Sequence, residues 1–191
     1  MLTERQAEII ETSINLIATK GIQGLTIKNL SKEIGISEPA IYRHFESKTD
    51  ILLAILKKFE EMSSFMDTVI NQLDTAMAKI EFMFLKIVEI FIDEPSHISV
   101  VFSEEVFKNE EVLKNKIVEI MEAKVKTIEN IILEGQNNNE FRTDIEHKIL
   151  ATIIIGTLRF MIKHWDLKNQ HKHLKEESRN IVNALKILLI P

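Results

Sequence analysis

The fourteen residues GISEPAIYRHFESK, from Gly35 to Lys48, restrict the possible folds of this chain more than any other segment. Gly35 follows a short stretch with helical spacing, and glycine accepts the left-handed backbone that a tight turn between two helices requires. Ser37, Glu38 and Pro39 come next and are typical of a helix start. A hydroxyl can cap free N–H groups, a carboxylate suits the helix dipole, and proline loses no needed hydrogen bond there. The segment therefore predicts a helix-turn-helix, with a further helix beginning near residue 48.

The second helix of this pair has two chemically different sides. Ile41 and Phe45, four residues apart, would point together into a small core. The opposite side carries Ala40, Tyr42, Arg43 and His44. A recognition helix presents such an outer side to base edges in the major groove of DNA. Any short amphipathic helix also has a solvated face, but the complete helix-turn-helix pattern favours DNA binding.

The helix before the turn gives a second set of signals. Thr26 can cap it, Ile27, Leu30 and Ile34 are spaced to share a buried face, and Ser31 is small enough for another helix to cross closely. Together with the Ser31-to-Gly35 spacing and the string AIYRHFESK, these residues resemble the tetracycline-repressor (TetR) family of bacterial transcription regulators. The resemblance covers about the first fifty residues. The rest of the chain is similar to the family only in its length, its helical character and its apolar penultimate helix.

The resemblance implies which residues contact DNA. Phosphate contacts are expected from Thr26, Lys28, Tyr42 and Lys48, with help from Ser37, and groove contacts from Glu38, Pro39, Ala40, Arg43 and His44. Lys48 would lie in the first turn of a helix capped by Ser47, with Asp50 completing an S-x-x-D capping box, so its ammonium and the helix N-terminus could bind one phosphate.

Up to Asp50 the chain has six Lys or Arg against seven Asp or Glu. We therefore expect modest affinity per protomer, increased by dimerisation.

Composition places the rest of the chain among ordinary globular proteins. The 191 residues are 45% hydrophobic and 28% charged, and the absence of cysteine excludes disulfides and thiol chemistry. The N-terminal segment has acidic residues through its middle and does not resemble a signal peptide, while the longest apolar run, 149–158, is too short to cross a membrane. The sequence predicts a cytoplasmic, all-α protein without membrane association.

Helical periodicity and helix-end signals predict about nine helices. The predicted spans are 3–20, 26–34, 37–45, 47–71, 74–92, 96–107, 110–134, 143–165 and 174–189. Capping boxes at Thr3 with Gln6 and at Thr143 with Glu146 mark two of the starts, and the segment GQNNNEF is the clearest loop. We expect a DNA-binding domain over residues 1–48 and a larger helical domain for effector binding and dimerisation over residues 49–191.

The predicted helix 143–165 is apolar on nearly all sides between Ile149 and Met161, as expected for a helix covered on two sides. One side can face the core, and the other favours a partner helix. With the last helix it would form a four-helix bundle in a homodimer through Thr152, Gly156, Thr157, Ile181, Leu185 and Leu188. A two-layer core within one chain is the alternative, and the resemblance favours the dimer.

Aromatic and methionine side chains in the second half suggest an adaptable apolar pocket. The candidate ligand-binding residues are Phe82, Met83, Phe102, Met121, Phe160, His164 and Trp165. Most apolar residues of this kind are plain core, so the pocket is implied mainly by the resemblance. The expected effector is a small apolar molecule.

The sequence contains only weak patterns of the kind found in enzyme active sites and metal sites. The only Glu-x-x-His spacing, Glu94 to His97, is interrupted by Pro95, and His171 and His173 lie in a lysine-rich loop that is more typical of solvent than of a metal site. We expect no enzymatic activity, cofactor or metal. The predicted function is a ligand-responsive homodimeric repressor that binds double-stranded DNA at a palindromic operator. The alternative is an adaptor with a helix-turn-helix fold that acts through a protein partner.

Overall fold

In the computed structural model, all the regular secondary structure of the described residues, which are 2–102, 104–108, 110–168 and 173–190, is helical. Ten helices are present in this part of the chain: α1 (Glu4–Gly24), α2 (Ile27–Ile34), α3 (Glu38–Tyr42), α4 (Lys48–Ile70), α5 (Ala76–Asp93), α6 (Ser96–Val101), α7 (Glu104–Phe107), α8 (Glu111–Asn137), α9 (His147–Lys168) and α10 (Leu174–Leu189). The all-α prediction is confirmed. The predicted helix 96–107 is instead two short helices, α6 and α7.

The start of α1 follows its sequence signal. Thr3 Oγ1 accepts a hydrogen bond from the Gln6 amide at 3.2 Å, and the Thr3 amide donates to Gln6 Oε1 at 3.0 Å. The predicted stop at Gly21 is a break in the helix, because Gly21 has φ 68° and ψ 177°. One further helical turn then extends to Gly24.

The turn between α2 and α3 also agrees with the local chemistry, with one exception. Thr26 Oγ1 caps α2 by accepting from the Asn29 amide at 3.1 Å, and Gly35 adopts the left-handed conformation with φ 79°. Ser37 was predicted to cap α3 with its hydroxyl, and this is wrong. Its backbone is extended, as at a helix start, but its side chain makes no capping hydrogen bond. The first turn of α3 is instead closed by the Ala40 amide, which donates to the Ser37 carbonyl at 2.9 Å.

The predicted start of the penultimate helix at Thr143 is wrong, because α9 begins at His147. The Arg142 amide donates to the Leu189 carbonyl at 2.7 Å, and the Arg142 guanidinium holds Asp144 through bonds of 2.7 and 2.6 Å. These contacts hold Arg142 against the end of α10, and residues 143–145 form bends before α9. The Glu146 carbonyl then accepts from the amides of the first turn of α9.

The predicted loop GQNNNEF is shorter than expected, since α8 continues to Asn137. Asn139 takes a positive φ of 60°, and the amide of Phe141 donates back to the Gly135 carbonyl at 3.1 Å. The Phe141 ring lies against Gly135 so closely that a Cβ there would be 2.3 Å from Phe141 Cδ2 and 2.9 Å from Ala76 Cβ. Glycine is therefore required by this close approach.

The chain divides into two compact units, each with its own core. The first comprises residues 1–62 and 96–118; in it α1 packs on α2 and α6, and α2 packs on α3. Its buried side chains include Ile9, Ile14, Leu30, Ile41, Ile51 and Ile55. The second comprises residues 63–95 and 119–191; in it α10 packs on α5 and α9. Its buried side chains include Ile80, Phe84, Val88, Ile132, Ile154 and Ile162.

Across the described ranges, none of the helices combines the length and the apolar character needed to span a bilayer.

Candidate nucleic-acid interface

The helix-turn-helix separates its residues into an inner and an outer face. Ile41 is fully buried and Phe45 nearly so, whereas Tyr42 is 50% exposed. The other predicted contact residues are all reachable from solvent: Thr26, Lys28, Ser37, Glu38, Pro39 and Arg43 are exposed, and Ala40, His44 and Lys48 are half-buried. The Gln6 side chain donates to the His44 carbonyl at 3.4 Å, which links α1 to the end of α3.

Two cations of the outer face lack an acidic partner. In the part of the chain that the structure describes, Lys28 and Arg43 form no ion pair with a carboxylate. Other cations of this unit are neutralised internally, since Arg5 pairs with Glu8 and Lys58 with Glu11. The exposed positive charge near the motif is therefore available to a phosphate.

Lys48 makes a contact that the sequence did not indicate. Its Nζ donates to the carbonyl oxygen of Ile22, in the helical turn after Gly21, at 3.1 Å. Partial burial lowers the pKa of Lys48, and the negative charge of Glu110 opposes that effect. The ammonium has two further hydrogens, so one bond to Ile22 leaves donors for an anion.

Glu110 is the residue that sequence reasoning missed. It immediately precedes α8, and its Oε2 accepts a hydrogen bond from Thr49 Oγ1 at 2.6 Å. Sixty-one positions separate Glu110 from Thr49. No helix-end signal or periodicity connects residues so far apart, so only tertiary structure could reveal the contact.

A second cluster joins α1, α4 and α6 in the same unit. The ring of His97 is buried and contacts Phe59 edge-on, with 5.2 Å between ring centroids. Its Nε2 lies 3.7 Å from Glu11 Oε2, and Glu11 also pairs with Lys58. This cluster holds α1 against α4 and α6.

The candidate ligand residues are distributed more widely than the sequence suggested. Met83 and Trp165 are buried, Phe82, Phe102 and His164 are half-buried, and Met121 and Phe160 are exposed. Phe160 is 70% exposed and stacks on His164, with 5.5 Å between ring centroids. Phe102 belongs to the first unit and the others to the second. Periodicity marks both faces of α9 as apolar without showing which one the chain itself covers, and Phe160 lies on the uncovered face.

A surface depression of about 420 Å³ lies elsewhere, lined by Asn139, Phe141, Arg142, Thr143 and Asp144. It contains none of the seven candidate ligand residues. Its Arg142 and Asp144 bond to each other, so the depression presents little unpaired charge.

The candidate dimer residues divide between surface and core. Thr152, Gly156 and Leu188 are exposed, Thr157 and Ile181 are half-buried, and Leu185 is only 3% exposed. Leu185 thus packs inside its own unit, because α10 turns that side toward α5 and α9. A Cβ at Gly156 would meet no atom of this chain within 4 Å. Ile149, Ile153 and Phe160 extend the exposed apolar stripe along α9.

Of the two histidines considered for a metal, His171 lies outside the described residues. Among the residues that are described, no three His, Cys, Asp or Glu side chains are grouped as a metal ion would need.

Two family models match the chain. The model described as bacterial regulatory proteins of the tetR family matches residues 9–55. The model described as the C-terminal region of YsiA-like proteins matches residues 56–188. The boundary between them falls within α4, and the first model covers the whole helix-turn-helix.

Two relatives match the sequence over nearly its full length. The fatty acid metabolism regulator protein of Bacillus subtilis (strain 168) is 23% identical over 181 residues, covering 93% of this chain and 92% of the relative. The nucleoid occlusion factor SlmA of Glaesserella parasuis is 26% identical over 181 residues, covering 91% and 89%.

Two solved structures extend this likeness. The regulator FadR from Bacillus subtilis in complex with stearoyl-CoA has a TM-score of 0.82 at 22% identity, covering 95% of this chain and 98% of that one. AibR in complex with isovaleryl coenzyme A and operator DNA has a TM-score of 0.80 at 14% identity, covering 95% and 98%.

Proposed function

We propose that this chain, which belongs to the tetR family of bacterial regulatory proteins, is a homodimeric repressor that a fatty acyl-CoA releases from operator DNA. The observation that carries the DNA-binding part is the outer face of the helix-turn-helix. Tyr42 is half exposed there, and Lys28 and Arg43 have no acidic partner among the described residues. These donors suit phosphates, which position a protein on the duplex, while neighbouring groups on α3 can reach base edges.

The dimer is supported by the exposed apolar face of α9 and α10. Ile153, Phe160 and Leu188 are large apolar side chains in solvent, and Gly156 leaves room for a close helix approach. Contiguous exposed apolar surface on a soluble protein commonly marks an interface. A twofold dimer would also supply two recognition helices for a palindromic operator.

An acyl-CoA effector is supported by the relatives and by side-chain chemistry. The similar FadR structure contains stearoyl-CoA, the AibR structure contains isovaleryl coenzyme A, and the Bacillus subtilis relative is named for fatty acid metabolism. In the second unit, Met83, Phe84, Phe91, Met161 and Trp165 form an apolar interior of the kind that accommodates an alkyl chain.

Release from DNA requires that the effector prefers the protein conformation that cannot bind the operator. A hundredfold preference corresponds to about 2.7 kcal/mol of coupling, and operator DNA must then weaken effector binding by the same factor. Trp165 is the only tryptophan and is buried in the second unit, so we expect its fluorescence to change when an effector binds there.

The test has two stages. Purified protein first selects DNA from a random pool, and we expect a palindromic consensus sequence. Stearoyl-CoA, isovaleryl-CoA, free stearate and coenzyme A are then titrated into the protein–operator complex. Release by an acyl-CoA, but not by coenzyme A alone, would support the proposal. Equal binding of every acyl-CoA with and without operator would contradict it.

A second candidate is a DNA-bound adaptor that acts through a protein partner. It is favoured by the likeness to SlmA, which is named as a nucleoid occlusion factor and is 26% identical over 181 residues. Genomic footprinting separates the candidates. A metabolic repressor should occupy a few promoter sites that acyl-CoA empties, whereas occupancy by an adaptor should not respond to acyl-CoA.

A further inference from the structure

The first turn of α4 is occupied by a carboxylate of the same chain. Glu110 accepts a hydrogen bond from Thr49 Oγ1 at 2.6 Å, and its charge acts on the neighbouring Lys48 ammonium. Lys48 and Thr49 are the first two residues of a 23-residue helix. The leading N–H groups of a helix have no partner within the helix and attract negative charge.

An incoming phosphate would bind to the same groups. A lysine ammonium, a hydroxyl and a helix N-terminus are together a favourable set of donors for a phosphate oxygen. A carboxylate already bonded to one of these donors has the same charge sign and similar acceptor geometry. The two anions cannot occupy one position, and they repel each other at close range.

We propose that Glu110 is an internal competitor of the operator phosphate at the first turn of α4. This inference rests on the proposed function, because the phosphate comes from operator DNA. When DNA binds, the Glu110 carboxylate leaves Thr49, and its release reduces the net gain from each phosphate contact. Since Glu110 begins the segment that leads into α8, the competition also links the position of α8 to DNA affinity.

The chain offers a matched control for this contact. Glu111 is the next residue, is exposed, and carries the same charge in the first turn of α8. Among the described residues it makes no hydrogen bond to α4. Glu110→Gln and Glu111→Gln therefore change the net charge equally, at nearly the same distance from DNA, but only the first removes the competing carboxylate.

The experiment measures operator affinity of the wild-type protein and both variants over a range of salt concentrations. If the competing Glu110 carboxylate costs each protomer about as much as an exposed ion pair is worth, Glu110→Gln should bind the operator about 2- to 30-fold more tightly. The slope of log K against log salt should stay close to the wild-type value, because the same lysine and arginine side chains bind phosphates in each protein. Glu111→Gln should show a smaller gain in operator affinity and an unchanged slope of log K against log salt.

A measurement without DNA checks the contact itself. By NMR titration, Glu110→Gln should lower the pKa of Lys48 further, because the carboxylate that raises it is gone. Glu111→Gln should leave that pKa closer to the wild-type value. If the pKa of Lys48 were the same in Glu110→Gln and Glu111→Gln, the inference would be overturned.

The outcomes separate this inference from the proposed function. If the wild-type protein selects an operator and Glu110→Gln binds it no more tightly than Glu111→Gln, only the competitor role is overturned. If the wild-type protein selects no DNA sequence, the proposed function fails and the competitor role falls with it.

Discussion

Lys48 and Ile22 are joined by a hydrogen bond from the Lys48 ammonium to the Ile22 carbonyl oxygen, 3.1 Å long. The bond connects the first turn of α4 to the helical turn that follows the break at Gly21. The lysine that the sequence assigned to phosphate binding thus also supports the chain just before α2. Its loss should affect both folding and DNA affinity.

Lys48→Met should therefore lower the free energy of unfolding by about 0.5–1.5 kcal/mol, the net value of a typical hydrogen bond. Chemical denaturation checks this value. Lys32→Met is the control, since Lys32 is exposed on α2 and should leave stability nearly unchanged. Equal stability of the two variants would show that the Ile22 bond contributes nothing in solution.

DNA affinity should depend on salt in proportion to the number of phosphates bound. If Lys28, Arg43 and Lys48 each bind one phosphate in both protomers, about six charges are neutralised and log K should fall with log salt with a slope of about −5. Lys28→Ala should reduce that slope by about 2. Lys57→Ala, an exposed lysine on α4 that lies near Glu61, should not change it.

Tyr42→Phe tests the role of the exposed phenol on α3. Removing the hydroxyl should weaken binding to all DNA sequences alike, because a phosphate contact carries no sequence information. His44→Ala should instead change the preferred sequence, as measured by repeating the selection from a random pool. A changed consensus with Tyr42→Phe would contradict the assignment of Tyr42 to a phosphate.

Ile153→Glu should convert the dimer to a monomer without unfolding it. Ile153 is exposed in the single chain, so the charge costs little there, but in an apolar interface it would be desolvated without a partner. Sedimentation measures the association state, and circular dichroism measures the fold. Val125→Glu, an exposed apolar residue on α8, should remain dimeric. Dimers of equal stability in both variants would place the interface elsewhere.

Lys79→Met should destabilise the protein more than Lys86→Met. Both lysines lie on α5 and both pair with a glutamate, but Lys79 is buried and bonds both carboxylate oxygens of Glu134, at 2.6 and 2.8 Å. We expect a cost of about 1–3 kcal/mol for Lys79→Met, because Glu134 loses charge-assisted bonds in a partly buried position. The Lys86 side chain is 43% exposed, so its pair with Glu89 contributes little and its variant should unfold like the wild-type protein.

The Arg142–Asp144 pair should be detectable in an acid titration, as a low pKa of the Asp144 carboxyl group. Hydrogen bonding to Arg142 lowers the pKa of Asp144 below its ordinary value of 3.8. The folded protein thus holds the charged carboxylate more favourably than the unfolded chain does. The stabilising contribution is complete above the unfolded pKa and is lost as the pH falls through the lower folded pKa. NMR titration should show the Asp144 pKa returning toward 3.8 in Arg142→Gln and staying low in Arg179→Gln.

The sequence predicted those parts of the fold that depend on neighbours within one turn. Thr3 with Gln6, Thr26 and Gly35 behave as expected, because a cap or a left-handed residue is determined by the local backbone. The capping-box pattern of Thr143 with Glu146 is equally local, but α9 does not begin there. There, a backbone bond from Arg142 to Leu189, far along the chain, outweighs the capping preference.

Sequence patterns were less informative about which apolar face is covered. Leu185 and Leu188 both carry the pattern of an interface residue, yet Leu185 is buried by its own unit and Leu188 is 51% exposed. Periodicity identifies a face that avoids water, but it does not identify the element that covers it. Phe160 is a predicted pocket residue because it belongs to the aromatic and methionine set, yet it is exposed on the outer face of α9.

The contact of Gly135 with the ring of Phe141 also restricts how such a chain can vary. A side chain at position 135 would overlap the ring of Phe141, so position 135 can gain a side chain only after the residue at position 141 has become smaller. Chains of this fold with alanine or serine at 135 should therefore carry a smaller residue than phenylalanine at 141. An isolated Gly135→Ala exchange should destabilise the second unit unless position 141 had already become smaller, which makes the order of substitutions as important as their identity.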